Sequence, residues 1–211
     1  MSDRPHLHVL GDSISIQYGP HLAEALADHV HYSRKGGDDL PNDLDTAGSG
    51  GVNGGDSSMC IAYLQAVRDS QLRPDVLLFN CGLHDIKSDP KTGQLQVPPE
   101  AYEQNLRTAN KLIHELGASL VWVTTTPVDE ARHNRPDMPF HRHNEHVQQY
   151  NAIAKPVMAE AAIGVIDLHA WCLQRGESAE LLHDGRHFHE AIQAQQGRWI
   201  AEQLLALPLS P

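Results

Sequence analysis

Two short stretches of this chain are apolar almost without interruption: residues 75–81 (DVLLFNC), introduced by Pro74, and residues 119–125 (SLVWVTT), stopped by Pro127. A strand with one wet face alternates apolar and polar residues. An unbroken apolar run marks a strand buried on both faces, and such strands belong to parallel sheets covered by helices. Between the two runs lies the clearest helical pattern, residues 98–117, with proline at its start and Gly117 just past its end. Strand, helix and strand at that spacing form a parallel crossover unit.

The same alternation extends along the chain. Residues 7–10 predict a first strand ended by Gly11, residues 16–29 a helix, and residues 30–32 a brief second strand. A helix follows over 59–68, capped by Ser57 or Ser58. Later come a helix from about 145 to 161, a last strand at 163–168 and a final helix at 190–206. Residues 34–58, rich in Gly, Asp, Asn and Ser, and the polar stretch 128–144 read as loops. The alternation predicts a mostly parallel sheet with helices on both faces. Ligands of such open sheets bind beyond the carboxyl ends of the strands, so motifs have to be judged by that address.

Composition narrows the function classes. A length of 211 residues suits one domain, 1–211. Sixteen Lys and Arg against 27 Asp and Glu give a net charge of −11, which repels phosphate backbones and argues against a nucleic-acid partner. Fifteen histidines erode that charge below about pH 6.5. No apolar run approaches the roughly 20 residues a membrane span needs. Cys60, Cys81 and Cys172 have no CxxC spacing and leave one unpaired, which suits free thiols in a reducing compartment. With no signal-peptide pattern at the N-terminus, the expected location is cytoplasmic. Oligomeric state is left open.

Gly11-Asp12-Ser13 directly follows the first strand and opens the first helix, so the Ser13 hydroxyl would sit at a strand's carboxyl end and a helix N-terminus. By itself the string also fits a serine that merely caps a helix. Asp184-Gly185-Arg186-His187 lies between the last strand and the last helix, and an Asp three residues before a His across a glycine turn can reach Nδ1 and aim the other nitrogen at a nucleophile. Oxyanion donors would have to come from the same edge. Residues 53–57 (NGGDS) and 81–86 (CGLHDI) are the two candidates. The loop at 129–146 holds His133, His141, His143 and His146 with Arg132, Arg135 and Arg142, and should overhang the site. His143 and His146 have a spacing compatible with a metal, but an arginine-containing loop does not guarantee ligand geometry, and no metal is assigned.

Taken in order, these motifs resemble the SGNH/GDSL hydrolase family along essentially the whole chain. Gly11-Asp12-Ser13 is similar to the family's nucleophile block, and Gly55-Asp56-Ser57 to its second block, with Gly54 nearly as good a match. Residues 74–85 (PDVLLFNCGLHD) are similar to the third block, and Asp184 with His187 to the closing D-x-x-H. The resemblance implies a three-layer α/β/α sandwich around a mostly parallel, about five-stranded flavodoxin-like sheet. It also implies a serine ester hydrolase in which Ser13 attacks, His187 is the base and Asp184 orients it. Backbone N–H groups of Ser13 and Gly55, with the His84 side chain, would hold the oxyanion. No cofactor is required.

One position departs from the pattern: the family's third block carries Asn where this chain has His84. The imidazole could donate in the amide's place, could be charged and so donate more strongly, or could mark a different substrate or reaction; a structural His bonded to Asp85 is the remaining alternative. Asp12, Asp85, Arg132, His133 and Arg142 are the candidate substrate contacts. The polar loops favour a small acyl ester on a polar, carbohydrate-like alcohol. A thioesterase or lysophospholipase, an acyltransferase on the same site, and a repurposed non-hydrolytic member are the alternatives.

Overall fold

The computed structural model describes residues 4–37, 44, 48 and 50–207. Five strands, β1 (His6–Leu10), β2 (His31–Arg34), β3 (Val76–Phe79), β4 (Ser119–Val123) and β5 (Gly164–Ile166), form one sheet in the order β2-β1-β3-β4-β5. Every pairing is parallel. Leu10, Phe79 and Trp122 stand in register across the three central strands, and the Phe79 and Trp122 rings meet edge to face at 5.3 Å. This is the doubly wound, flavodoxin-like order, in which the chain steps outward from β1 to β2 and returns across β1 to β3.

The helices are α1 (Ser13–Ala25), α2 (Ser57–Asp69), α3 (Pro99–Glu115), α4 (Glu130–His133), α5 (Asn144–Glu160), α6 (Leu168–Leu173), α7 (Ser178–Leu181) and α8 (Glu190–Ala206). α1 packs on α8, while α2, α3 and α5 pack side by side as the second helical layer. The α1–α8 contact depends on Gly197, where a Cβ would lie 2.8 Å from backbone atoms of Tyr18 and Leu22. No helix among the described residues is long and apolar enough to cross a membrane. Cys60, Cys81 and Cys172 are buried free thiols.

Several boundaries differ from those read in the sequence. α1 begins three residues before 16 because Asp12 caps it, and it ends at Ala25 rather than 29. α2 is capped by Asp56, whose carboxylate accepts from the N–H groups of Ser58 and Met59, and not by Ser57 or Ser58. The second strand starts at His31 and runs to Arg34, and the third and fifth are shorter than their apolar runs. The stretch 128–144 contains α4, and α6 and α7 follow β5 where no element was expected. Part of the expected loop at 34–58 lies outside the described residues.

Candidate active site

β1 ends at Leu10, and the chain turns into α1 through Gly11 and Asp12. Asp12 is buried, and its carboxylate accepts the N–H of Ile14 at 2.9 Å. Burial pushes its pKa up, partly offset by that N–H and by the charge of Arg142. The cap leaves Ser13 as the first helical residue. Its own N–H is one of the first-turn donors that no carbonyl of the helix can satisfy.

The turn after α7 brings the partner groups to the same edge. Asp184 Oδ1 accepts the backbone N–H groups of Arg186 at 3.0 Å and His187 at 2.8 Å, which closes the turn. Oδ2 lies 2.7 Å from Nδ1 of His187, and Nε2 of the same ring lies 2.7 Å from Ser13 Oγ. Ionised Asp184 can only accept, so Nδ1 carries the proton and Nε2 accepts from the Ser13 hydroxyl. Burial raises the Asp184 pKa, but the N–H and imidazole of His187 and the N–H of Arg186 outweigh it and hold the carboxyl well below the usual range. Gly185 makes the turn possible: its φ is +92°, and a Cβ there would lie 2.8 Å from the backbone N of His133.

Ser13 and His187 line a cavity of about 230 Å³. His84 lines it too, in the turn that follows β3. Burial, then the neighbouring charges of Lys87 and Arg142, lower the His84 pKa to about 3, so the ring is neutral at physiological pH. Neither ring nitrogen has a hydrogen-bond partner among the described residues. Asp85 does not touch it. That carboxylate is buried, accepts the N–H of Ser57 at 2.9 Å, and has its pKa raised by burial to about 7. Asp85 ties the β3 turn to the start of α2.

The glycine loop places its N–H groups elsewhere than the resemblance implies. Gly54 N–H donates to Gly11 O at 2.8 Å, and Gly55 N–H donates to Asn53 Oδ1 at 2.9 Å. Asn53 itself lines the cavity.

Of the five candidate substrate contacts, Arg142 alone lines this cavity among the described residues. Asp12 is the buried cap of α1, and Asp85 is buried against the Ser57 N–H. Arg132 reaches the carbonyls of Leu182 and Ala179, bracing α7. His133 is buried behind the cavity, with Nε2 2.7 Å from an Arg142 nitrogen. Lys87, Phe140 and Arg186 line the cavity and were not singled out from the sequence. Arg186 was visible, since it stands inside the D-x-x-H string. Lys87 and Phe140 are brought in by separate loops and carry no local signal.

The arrangement can deprotonate a serine hydroxyl, stabilise the resulting imidazolium, and offer N–H donors beside the attacked atom. Comparison with known proteins supplies the family and the fold. A family model described as "GDSL-like Lipase/Acylhydrolase family" matches residues 9–195. No curated protein sequence matches the chain. Among solved structures, a lipase/acylhydrolase from Enterococcus faecalis is similar at 19% identity, with 96% of each chain covered and a TM-score of 0.69. The acetyl xylan esterase AlAXEase is similar at 17% identity, covering 95% of this chain and 98% of its own, with a TM-score of 0.64. TesA is similar at 18% identity, covering 97% and 99%, with a TM-score of 0.64. At these identities the structures share the fold.

Proposed function

The chain belongs to the GDSL-like lipase/acylhydrolase family and is a hydrolase acting on ester bonds, and from that premise we propose that it is a serine esterase working through an acyl-enzyme on Ser13. The contact that carries the reading is the pair of 2.7 Å hydrogen bonds joining Asp184, His187 and Ser13 in line. Ser13 Oγ attacks the ester carbonyl as its proton passes to His187 Nε2. Asp184 holds the ring through Nδ1–H and stabilises the imidazolium. The carbonyl oxygen becomes an oxyanion held by the Ser13 N–H and the neutral His84 ring N–H. His187 returns its proton to the departing alkoxide, releasing the alcohol. Water, deprotonated by the same nitrogen, then attacks the acyl-Ser13 ester and frees the carboxylic acid.

The cavity's polar lining and modest volume favour a short acyl group on a polar alcohol. Ser13→Ala should abolish hydrolysis of p-nitrophenyl acetate while retaining the far-UV circular dichroism of the wild type. A serine-directed organophosphonate should label the wild type on Ser13. Labelling elsewhere, or full activity in Ser13→Ala, overturns the assignment.

A further inference from the structure

In a protein of net charge −11, three cationic side chains converge on the small cavity that Ser13 lines. Lys87 comes from the turn after β3, Arg142 from the end of the loop after β4, and Arg186 from the turn that carries His187. Lys87 Nζ and Arg142 Cζ both stand over the ring of Phe140, at 4.9 and 4.8 Å from its centroid. Arg142 is only 3% exposed, and its Nε donates to Leu83 O at 2.5 Å. Arg186 approaches His133 Nε2 at 3.5 Å.

None of the three makes a carboxylate salt bridge within 4.0 Å among the described residues. The nearby carboxylates each accept bonds from elsewhere: Asp184 from His187 and two N–H groups, Asp56 from the start of α2, Asp12 through Oδ1 from the start of α1, and Asp85 through Oδ1 from the Ser57 N–H. Like charges gathered in a partly desolvated cleft repel one another and raise the energy of the empty site. A bound anion relieves that repulsion and gains charge-assisted hydrogen bonds, while a low-dielectric cleft focuses the field on it.

We propose that the ester hydrolysed at this site carries an anionic oxygen group, a carboxylate or a phosphate, on its alcohol portion, seated against Lys87 and Arg186 with Arg142 at their back. The proposal rests on Ser13 being the nucleophile. Arg142 fixes the turn as well as contributing charge, so Lys87 and Arg186 are the residues to vary.

The test compares three acetyl esters of matched shape: 4-acetoxybenzoate, 4-acetoxyphenyl phosphate and the neutral 4-acetoxybenzamide, each corrected for its alkaline hydrolysis rate. At least one anionic ester should exceed the amide in kcat/KM by about tenfold or more, and which one does so distinguishes carboxylate from phosphate. Half-molar sodium chloride should shrink that ratio. Lys87→Met and Arg186→Gln should each move the ratio toward one. A wild-type ratio at or below one for both anionic esters, or a ratio unchanged in both variants, overturns the proposal. Persistence of amide-ester hydrolysis in Ser13→Ala instead overturns the reading of the nucleophile. If none of the esters turns over, calorimetric binding to Ser13→Ala decides, with preference for either anionic ester supporting the proposal and equal or weaker binding overturning it.

Discussion

Removing the imidazole of His84 should slow the reaction by close to a thousandfold. The magnitude comes from counting donors. One oxyanion donor typically contributes 10²–10³ in kcat. Of the three donors the resemblance implies, the Gly55 N–H is engaged by Asn53 Oδ1 at 2.9 Å, and the alternative from Gly54 is engaged by Gly11 O at 2.8 Å. That leaves the Ser13 N–H and His84. His84→Ala takes away half of the set rather than a third, which places the loss near the upper end, about 4 kcal/mol of transition-state stabilisation. KM should change less, because a ground-state carbonyl uses these donors weakly.

His84→Asn should restore most of the rate, since an amide N–H reaches from a similar place. The His84 pKa, lowered to about 3 by burial and by Lys87 and Arg142, adds a second criterion. The ring keeps one charge state from about pH 5 upward, so the wild-type and His84→Asn rate profiles should differ by a constant factor. Steady-state kinetics on p-nitrophenyl acetate from pH 5 to 9 reads both. A His84→Asn variant as slow as His84→Ala, or a wild-type-to-Asn ratio that changes with pH in either direction, refutes simple replacement by a neutral donor.

Acid should destabilise the fold through His8. This ring is fully buried, hydrogen-bonded to Ser33 and Tyr63, and its pKa is lowered to about 3 by burial. The unfolded chain takes up its proton near pH 6.5 and the folded chain does not, so stability present above pH 6.5 is lost as pH falls toward 3, by up to about 1.4 kcal/mol per unit. Between pH 7.5 and 5.0, urea unfolding should show the wild type losing about 2 kcal/mol more than His8→Gln; equal losses would show that the ring titrates normally. Gly82→Ala should lower both stability, by about 1–3 kcal/mol, and kcat. Its φ is +148°, and a Cβ would fall 2.1 Å from Thr125 Oγ1, displacing the turn that presents His84. Thermal melts with parallel assays check it, and an unshifted Tm counts against the strain.

The sheet was legible because its evidence is local. β3 and β4 are covered on both faces, so VLLF and the LVWV of 120–123 had to be apolar throughout. The serine, aspartate and histidine were legible because each lies in a short string with its own turn residues. α6 and α7 were not, since six and four residues cannot show a repeating apolar face. The cap of α2 was misplaced because Asp56, Ser57 and Ser58 are all good caps, and only the backbone angles separate them. Gly55 illustrates a different limit: a motif supplies the glycine, but Asn53, two residues earlier, decides where its N–H points. The cationic cavity is legible only in three dimensions, because Lys87, Arg142 and Arg186 come from three loops.

The stretch after β4, expected to overhang the site, gives Phe140 and Arg142 to the cavity lining and also links the two halves of the site. At one end Asp129 N–H donates to Gly185 O at 2.8 Å and Arg132 reaches the carbonyl of Leu182, so the stretch is tied to the turn holding Asp184 and His187. At the other end Ser88 and His141 exchange two backbone hydrogen bonds of 2.9 Å, and Arg142 binds Leu83 O, so it is tied to the turn holding His84. Asn134 closes the span from inside, donating to Arg142 O and accepting the Arg142 N–H. His84 and His187 are about a hundred residues apart in the chain, yet the proposed reaction needs the separation of base and oxyanion donor fixed to within a fraction of an ångström. The sheet alone sets that distance only through β3, β4 and β5. A strap hydrogen-bonded to both turns sets it directly, and explains why Arg132 and His133 face the protein rather than the cavity.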